Sequence, residues 1–328
     1  MLNFIFKIMG NNIKFLALFC LILFMSCDDI LEEDLTNDTV TPITPTEGSV
    51  VITNLVNFSW QSVDGADNYR LQLIQPSQNN MIVLDSLVSN ASFQYPLDPG
   101  MYEWRVRGEN FAYQTAYSFP VAFTVEASSD LSNQSLILNT PTDNLYTNNT
   151  NLLFTWNELA FANSYTFELI KNLNGQTTLT QQSGITGTNF SVNASIFDED
   201  AAYIWKIKAV NATSETAYSS RTVLIDRQAP NQPSLVTPAA DEVFTETTID
   251  FNWTIGQDSG NVQSDVESVL EIAQDANFNS IVESINISNG NAQQLTLATT
   301  GTYYWRVQSR DVAGNSSAFS ISRTFTIE

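Results

Sequence analysis

Histidine is missing altogether from this 328-residue sequence. Its absence removes Ser-His-Asp and Cys-His arrangements, the imidazole general base and most catalytic zinc sites. Cysteine is nearly missing too. The two present, Cys20 and Cys27, stand close together near the start, so no disulfide can staple the rest of the chain. Basic residues are scarce, 13 against 35 acidic ones, for a formal charge of −22. A phosphate backbone or an anionic lipid surface would be repelled, so no nucleic-acid partner and no direct adsorption to acidic membranes is expected. The sequence carries no Gly-rich phosphate loop, dinucleotide fingerprint, Gly-x-Ser-x-Gly elbow, zinc-finger spacing or coiled-coil heptad. Its longest apolar run, Phe15 to Met25, is too short to span a bilayer comfortably.

What is present is periodic. Six tryptophans fall into three pairs: Trp60, Trp156 and Trp253 lie 96 and 97 residues apart, while Trp104, Trp205 and Trp305 lie 101 and 100 apart. The first of each pair closes a Phe-x-Trp step, Phe58-Ser59-Trp60, Phe154-Thr155-Trp156 and Phe251-Asn252-Trp253, whose aromatics share one face of an extended strand. The second closes a Tyr-x-Trp step that continues as an alternating strand: Tyr102 to Arg107, Tyr203 to Lys208, Tyr303 to Gln308. Tyr, Trp and Val or Ile point one way there, and the Arg or Lys after each Trp points the other, as in an antiparallel sheet with one wet face. Further alternating runs, Tyr69 to Leu73, Tyr165 to Leu169 and Val269 to Ile272, separate the two tryptophans. Closing segments follow at Ala116-Tyr117-Ser118, Ala217-Tyr218-Ser219 and Ala318-Phe319-Ser320. One module is thus written three times, and short strands with frequent turns predict an all-β fold of three tandem antiparallel sandwiches. The periodic placement makes all six tryptophans core residues.

These strands, with the linker Ile225-Asp226-Arg227-Gln228-Ala229-Pro230 and the turn Asp311-Val312-Ala313-Gly314-Asn315, resemble fibronectin type III and related immunoglobulin-like modules of secreted bacterial proteins. The resemblance covers residues 43 to 328 and implies modules at 43–126, 135–226 and 230–328. It speaks to fold and hardly to function, because this sandwich hosts unrelated roles. Ala201 stands where the other modules have Gly100 and Gly301, which predicts a differently built turn in module two. Pro230 and Pro233 predict a stiffer junction between modules two and three than between one and two.

Residues 1–26 read as a secretory signal peptide, with Lys7 and Lys14 ahead of the apolar run and small Ser26 at its end. Leu23-Phe24-Met25-Ser26-Cys27 resembles a bacterial lipobox, which implies a lipoprotein acylated at Cys27 and anchored in the outer membrane. The alternative for Cys27 is an unmodified thiol in a flexible tail. The carboxylates of Asp28 to Asp34 resemble the acidic tether of surface-exported lipoproteins in Bacteroidetes, and mutual repulsion predicts an extended, unpacked spacer over 27–42.

Candidate sites are few. Asp198-Glu199-Asp200 is the densest acidic cluster within the modules, read as a solvated turn or as paired carboxylates of a glycosidase. Module three carries Asp258, Asp265 and Glu267 after its first Trp strand, and Asp311 with Asn315 after its Tyr-x-Trp strand. Such loops emerge at one end of a sandwich, and converging hard oxygens are what calcium requires, although an ordinary polar loop reads the same. In module one, Phe111 and Tyr113 occupy a loop that the sister modules keep polar. They mark a ligand-binding surface or fold back over the sandwich end. No organic cofactor is expected. The composite expectation is a non-enzymatic, lipid-anchored surface protein that binds a protein partner, mediates adhesion or acts as a spacer, with a glycan-binding lipoprotein of a polysaccharide-uptake system as the alternative.

Overall fold

The computed structural model describes residues 32–288 and 290–328, so Cys27 and the predicted signal peptide lie outside the described residues. The protein is built of three antiparallel β-sandwiches, each a three-stranded sheet facing a five-stranded one. In the first, the small sheet pairs Pro42–Thr44 with Leu55–Trp60, and that strand with Ser92–Pro96. Its large sheet runs in the order Ser49–Val51, Val121–Val125, Gly100–Glu109, Asn68–Gln75, Met81–Val88. The second sandwich repeats this with Leu138–Thr140, Leu153–Trp156 and Asn189–Ser191, against Leu145–Thr147, Ser219–Ile225, Ala201–Val210, Ser164–Asn172 and Gln176–Ile185. The third uses Ser234–Thr237, Thr248–Thr254 and Ala292–Thr296, against Glu242–Phe244, Arg323–Ile327, Gly301–Asp311, Val266–Ala273 and Ile281–Ile287. Among the described residues, all pairings between these strands are antiparallel except one per module, where a short early strand lies parallel to the last.

The alternation read from the sequence places the core. All six tryptophans are buried, none more than 2% exposed. One contact recurs in each sandwich: the Phe of the Phe-x-Trp step meets the Trp of the Tyr-x-Trp step across the sheets. Centroids are 5.3 Å apart for Phe58 and Trp104, 5.2 Å for Phe154 and Trp205, and 5.3 Å for Phe251 and Trp305. Beyond the area it buries, such a pair contributes about 0.5–1.5 kcal/mol. On the wet face, the aromatic of each closing segment covers a basic residue of the Tyr-x-Trp strand, the one after the Trp in modules one and three and the one two residues further on in module two. Arg105 sits over Tyr117, Lys208 over Tyr218 and Arg306 over Phe319.

The Tyr of the same strand bonds back to the turn before it in all three modules. Tyr102 donates to Asp98 O (2.9 Å), Tyr203 to Glu199 O (2.9 Å) and Tyr303 to Thr299 O (2.7 Å). Ala201 therefore does not reroute the second turn as expected: the phenol, four residues downstream of its acceptor, closes that turn as it does the others.

The segment expected to be an unpacked spacer packs in its later half. Leu35 and Val40 are buried, Thr39 bridges to Ala116, and Asp38 N donates to Leu35 O at 3.0 Å. Two apolar side chains after Asp34 find the sandwich edge, and burial outweighs the charge that dominates this segment's composition. The second module likewise begins before 135, because Leu131 belongs to its core.

The chain divides at Ala127/Ser128 into two compact units, the second holding modules two and three. Within that unit the junction is bonded from both sides. Asp226 N donates to Thr147 O (3.1 Å), Arg227 Nε to Asp200 Oδ1 (2.7 Å), and Asn148 Nδ2 to Asn315 Oδ1 (3.1 Å).

Candidate functional site

The loop after the Tyr-x-Trp strand is built alike in modules one and two. Asn110 Oδ1 accepts from Ala112 N (3.1 Å) and Tyr113 N (2.7 Å), as Asn211 Oδ1 accepts from Thr213 N (3.0 Å) and Ser214 N (2.8 Å). In modules one and two the amide of the same Asn reaches back to the chain entering the module, while in module three, where Asp311 holds that position, Asn315 does so. Asn110 Nδ2 donates to Glu33 O (2.8 Å), Asn211 Nδ2 to Ser129 O (2.9 Å) and, in module three, Asn315 Nδ2 to Asp226 O (3.0 Å). A side chain thus fixes each entering segment and each loop together.

Phe111 sits on such a loop and is 93% exposed, with Tyr113 at 39%. The alternative that both fold back as core does not describe Phe111. The turn closes through Asn110, not through the Phe ring, so Phe111 adds nothing visible to the sandwich.

Asp198, Glu199 and Asp200 are held as an ion-paired turn. Lys171 Nζ lies 3.1 Å from Asp198 Oδ1 and 2.6 Å from Glu199 Oε2, while Asp200 pairs with Arg227. The bonds from Lys171 hold the Asp198 carboxyl below the usual carboxylate range, the reverse of what a general acid needs.

The expected metal ligands separate into two groups. Asp258 and Asp311 do converge, together with the linker residue Asp226, and one carboxylate oxygen from each lies within 4.8 Å of the others. Asp265 and Glu267 fall outside that trio and line an open surface depression of about 450 Å³ with Arg310, Val312 and Asp311 itself. Glu267 is the register partner of Arg310 across the sheet. Asn315 does not offer a free oxygen as expected. Its amide nitrogen donates to Asp311 Oδ2 (2.8 Å) and Asp226 O, and its Oδ1 accepts from Asn148.

Asp226 was not singled out from the sequence, where it reads as a junction residue. It is 0% exposed, its Oδ1 accepts from Gln228 N (3.0 Å), and its Oδ2 is buried without a hydrogen-bond partner. Burial pushes its pKa up to about 6 despite the Gln228 bond, with Asp258, Asp311 and Asp200 adding to the rise. Asp258 is half-buried and accepts from Ser259 N (2.8 Å) and Ser264 N (2.7 Å). Asp311 accepts from Asn315 N (2.7 Å). Among the described residues, no Lys or Arg forms an ion pair with any of the three.

No family model matches the sequence, and no curated protein matches it either. Among solved structures, the chain is similar to the FN1–FN3 domains of chicken CNTN1, with 14% identity and a TM-score of 0.38 over 88% of this chain and 97% of that one. It is also similar to the fibronectin(III)-like modules of Clostridium thermocellum CbhA, with 14% identity and a TM-score of 0.38 over 59% of this chain and 94% of that one. At those values the correspondence is loose, and the sandwich architecture rests on the strand pairing above.

Proposed function

We propose that this chain is a non-enzymatic lipoprotein, anchored through Cys27 in the outer membrane, whose modules hold a recognition loop out at the cell surface. The observation that carries the binding role is Phe111, an almost fully exposed aromatic on a turn already closed by Asn110. Exposed aromatics on rigid turns are suited to anchor a partner, because little side-chain entropy is lost when they are covered. The favoured partner is a surface protein. The same pair of rings suits a sugar face, which keeps the glycan-uptake reading as the second one.

Binding of the whole chain to arrays of surface proteins and of polysaccharides tests this, with Phe111→Ala and Tyr113→Ala alongside. A protein hit lost in either variant supports the first reading, and a glycan hit lost in the same way supports the second. Binding that both variants retain, or none on either array, removes the loop as the site. Anchoring is tested by growth on labelled palmitate. Label that vanishes in Cys27→Ala is expected, and an unlabelled parent chain would overturn the lipoprotein assignment.

A further inference from the structure

Three carboxylates without a cation among them are an unstable arrangement at neutral pH. Each repels the others, and the low dielectric around a fully buried side chain strengthens that repulsion. Ordinary solvated acidic clusters relieve it through water, but Asp226 has no exposed surface. Ordinary buried carboxylates are satisfied by donors, but its Oδ2 has none. The backbone nonetheless holds the three side chains together. Asp226 is fixed by Gln228 N, Asp258 by Ser259 N and Ser264 N, and Asp311 by Asn315 N. Those bonds leave each carboxylate with spare lone pairs while fixing where it stands.

We propose that Asp226, Asp258 and Asp311 form a binding site for one divalent cation, with calcium as its ion, at the junction of modules two and three. All donors are hard oxygens, and neither imidazole nor thiolate is at hand to favour zinc. The three carboxylates, whose oxygens lie within 4.8 Å of one another, come from a linker and two separate parts of module three, an irregular set that calcium tolerates better than the strictly octahedral magnesium.

The site's location gives the ion a task. Asp226 directly follows the last strand of module two, Asp258 belongs to a loop of module three, and Asp311 ends that module's Gly301–Asp311 strand. An ion shared among them ties the linker to module three and converts repulsion at the junction into cross-linking. The inference is independent of the Phe111 loop, which lies on another module.

The test is calcium titration of the whole chain by calorimetry after stripping with EDTA, with magnesium as comparison, together with thermal unfolding. Expected are one calcium per chain, weaker magnesium binding, and a rise in melting temperature of the second unit by roughly 5–10 °C at 100 times Kd. Asp226→Asn keeps the acceptor for Gln228 N but removes a charge. It should lower calcium affinity at least about ten-fold and raise the melting temperature of the metal-free chain. If Asp226→Asn does not fold, Asp258→Asn, at a half-buried position, carries the same comparison. Absence of calcium-dependent heat and melting shift overturns the proposal, as does calcium binding that a folded variant retains undiminished.

Discussion

Arg221 stands opposite Trp205 in the sheet and takes the acceptor that the indole would otherwise use. Its Nη1 donates to Pro141 O at 2.9 Å and to Asn139 O at 2.8 Å, while Trp205 Nε1 is buried without a partner. Module one shows the alternative. Val121 pairs with Trp104 there, and Trp104 Nε1 donates to Pro45 O at 3.1 Å. Module three repeats module two, with Arg323 on Pro238 O (3.1 Å) and Trp305 Nε1 unpartnered.

Arg221→Val therefore trades several charge-assisted bonds for one from Trp205 to Pro141 O. A net loss of about 1–3 kcal/mol is expected in urea unfolding, since bonds from a charged donor exceed a neutral one. A red shift of tryptophan emission, from the newly bonded indole, should accompany it. An unchanged urea midpoint would show that the guanidinium bonds contribute nothing.

Asn110→Ala removes the donor to Glu33 O and also the acceptor that closes its own turn. Residues 32–41 should then exchange amide hydrogens faster and become cleavable by added protease, at a stability cost of about 1–2 kcal/mol. If that segment stays as protected as in the parent chain, packing of Leu35 and Val40 alone holds it.

Gly256 is buried where the linker crosses module three, and a Cβ added there would lie 1.6 Å from Asn231 O. Gly256→Ala must displace backbone that is itself bonded, because Asn231 N donates to Gln257 O at 2.9 Å. A loss of about 3 kcal/mol or more is expected in the second unit, with the first unaffected. Two-step thermal unfolding would resolve the units, and a drop in the first transition would contradict the assignment.

Burial pushes the Glu109 carboxyl up, but bonds from Arg70 Nε (2.8 Å) and Arg107 (2.7 Å) outweigh this and leave it below its ordinary value of 4.5. A depressed carboxyl contributes stability above its unfolded-state pKa and loses it as pH falls through the folded one. Glu109→Gln should thus cost about 1 kcal/mol at neutral pH, and the difference should close below pH 4.5. A gap between the two acid-unfolding curves that persists at lower pH would assign the effect to packing.

The strands and core were legible because period-two alternation and paired tryptophans are local signals, repeated three times. The entering segment was not: the carboxylates up to Asp34 dominate its composition, and only two apolar residues, Leu35 and Val40, reveal that it packs. The convergence of Asp258 and Asp311 followed from loops sharing one end of a sandwich. Asp226 was invisible because it belongs to the preceding module by sequence and to this site only by the linker's path. Asp265 and Glu267 looked equivalent to Asp258 in the sequence, and the sheet register that sets Glu267 opposite Arg310 cannot be read from residue types. Whether a buried indole keeps a partner depends on one residue of another strand, Val121 or Arg221, and that too is a tertiary fact.

In each module the short early strand runs parallel to the final one, as Ser49–Val51 does to Val121–Val125. A chain pulled by its two ends draws such neighbours in opposite directions along their shared axis. Every hydrogen bond between them is loaded at once in shear rather than opened one by one like a zip. Under tension applied between its two ends, each sandwich is therefore a mechanical clamp, set to resist the pull along the chain.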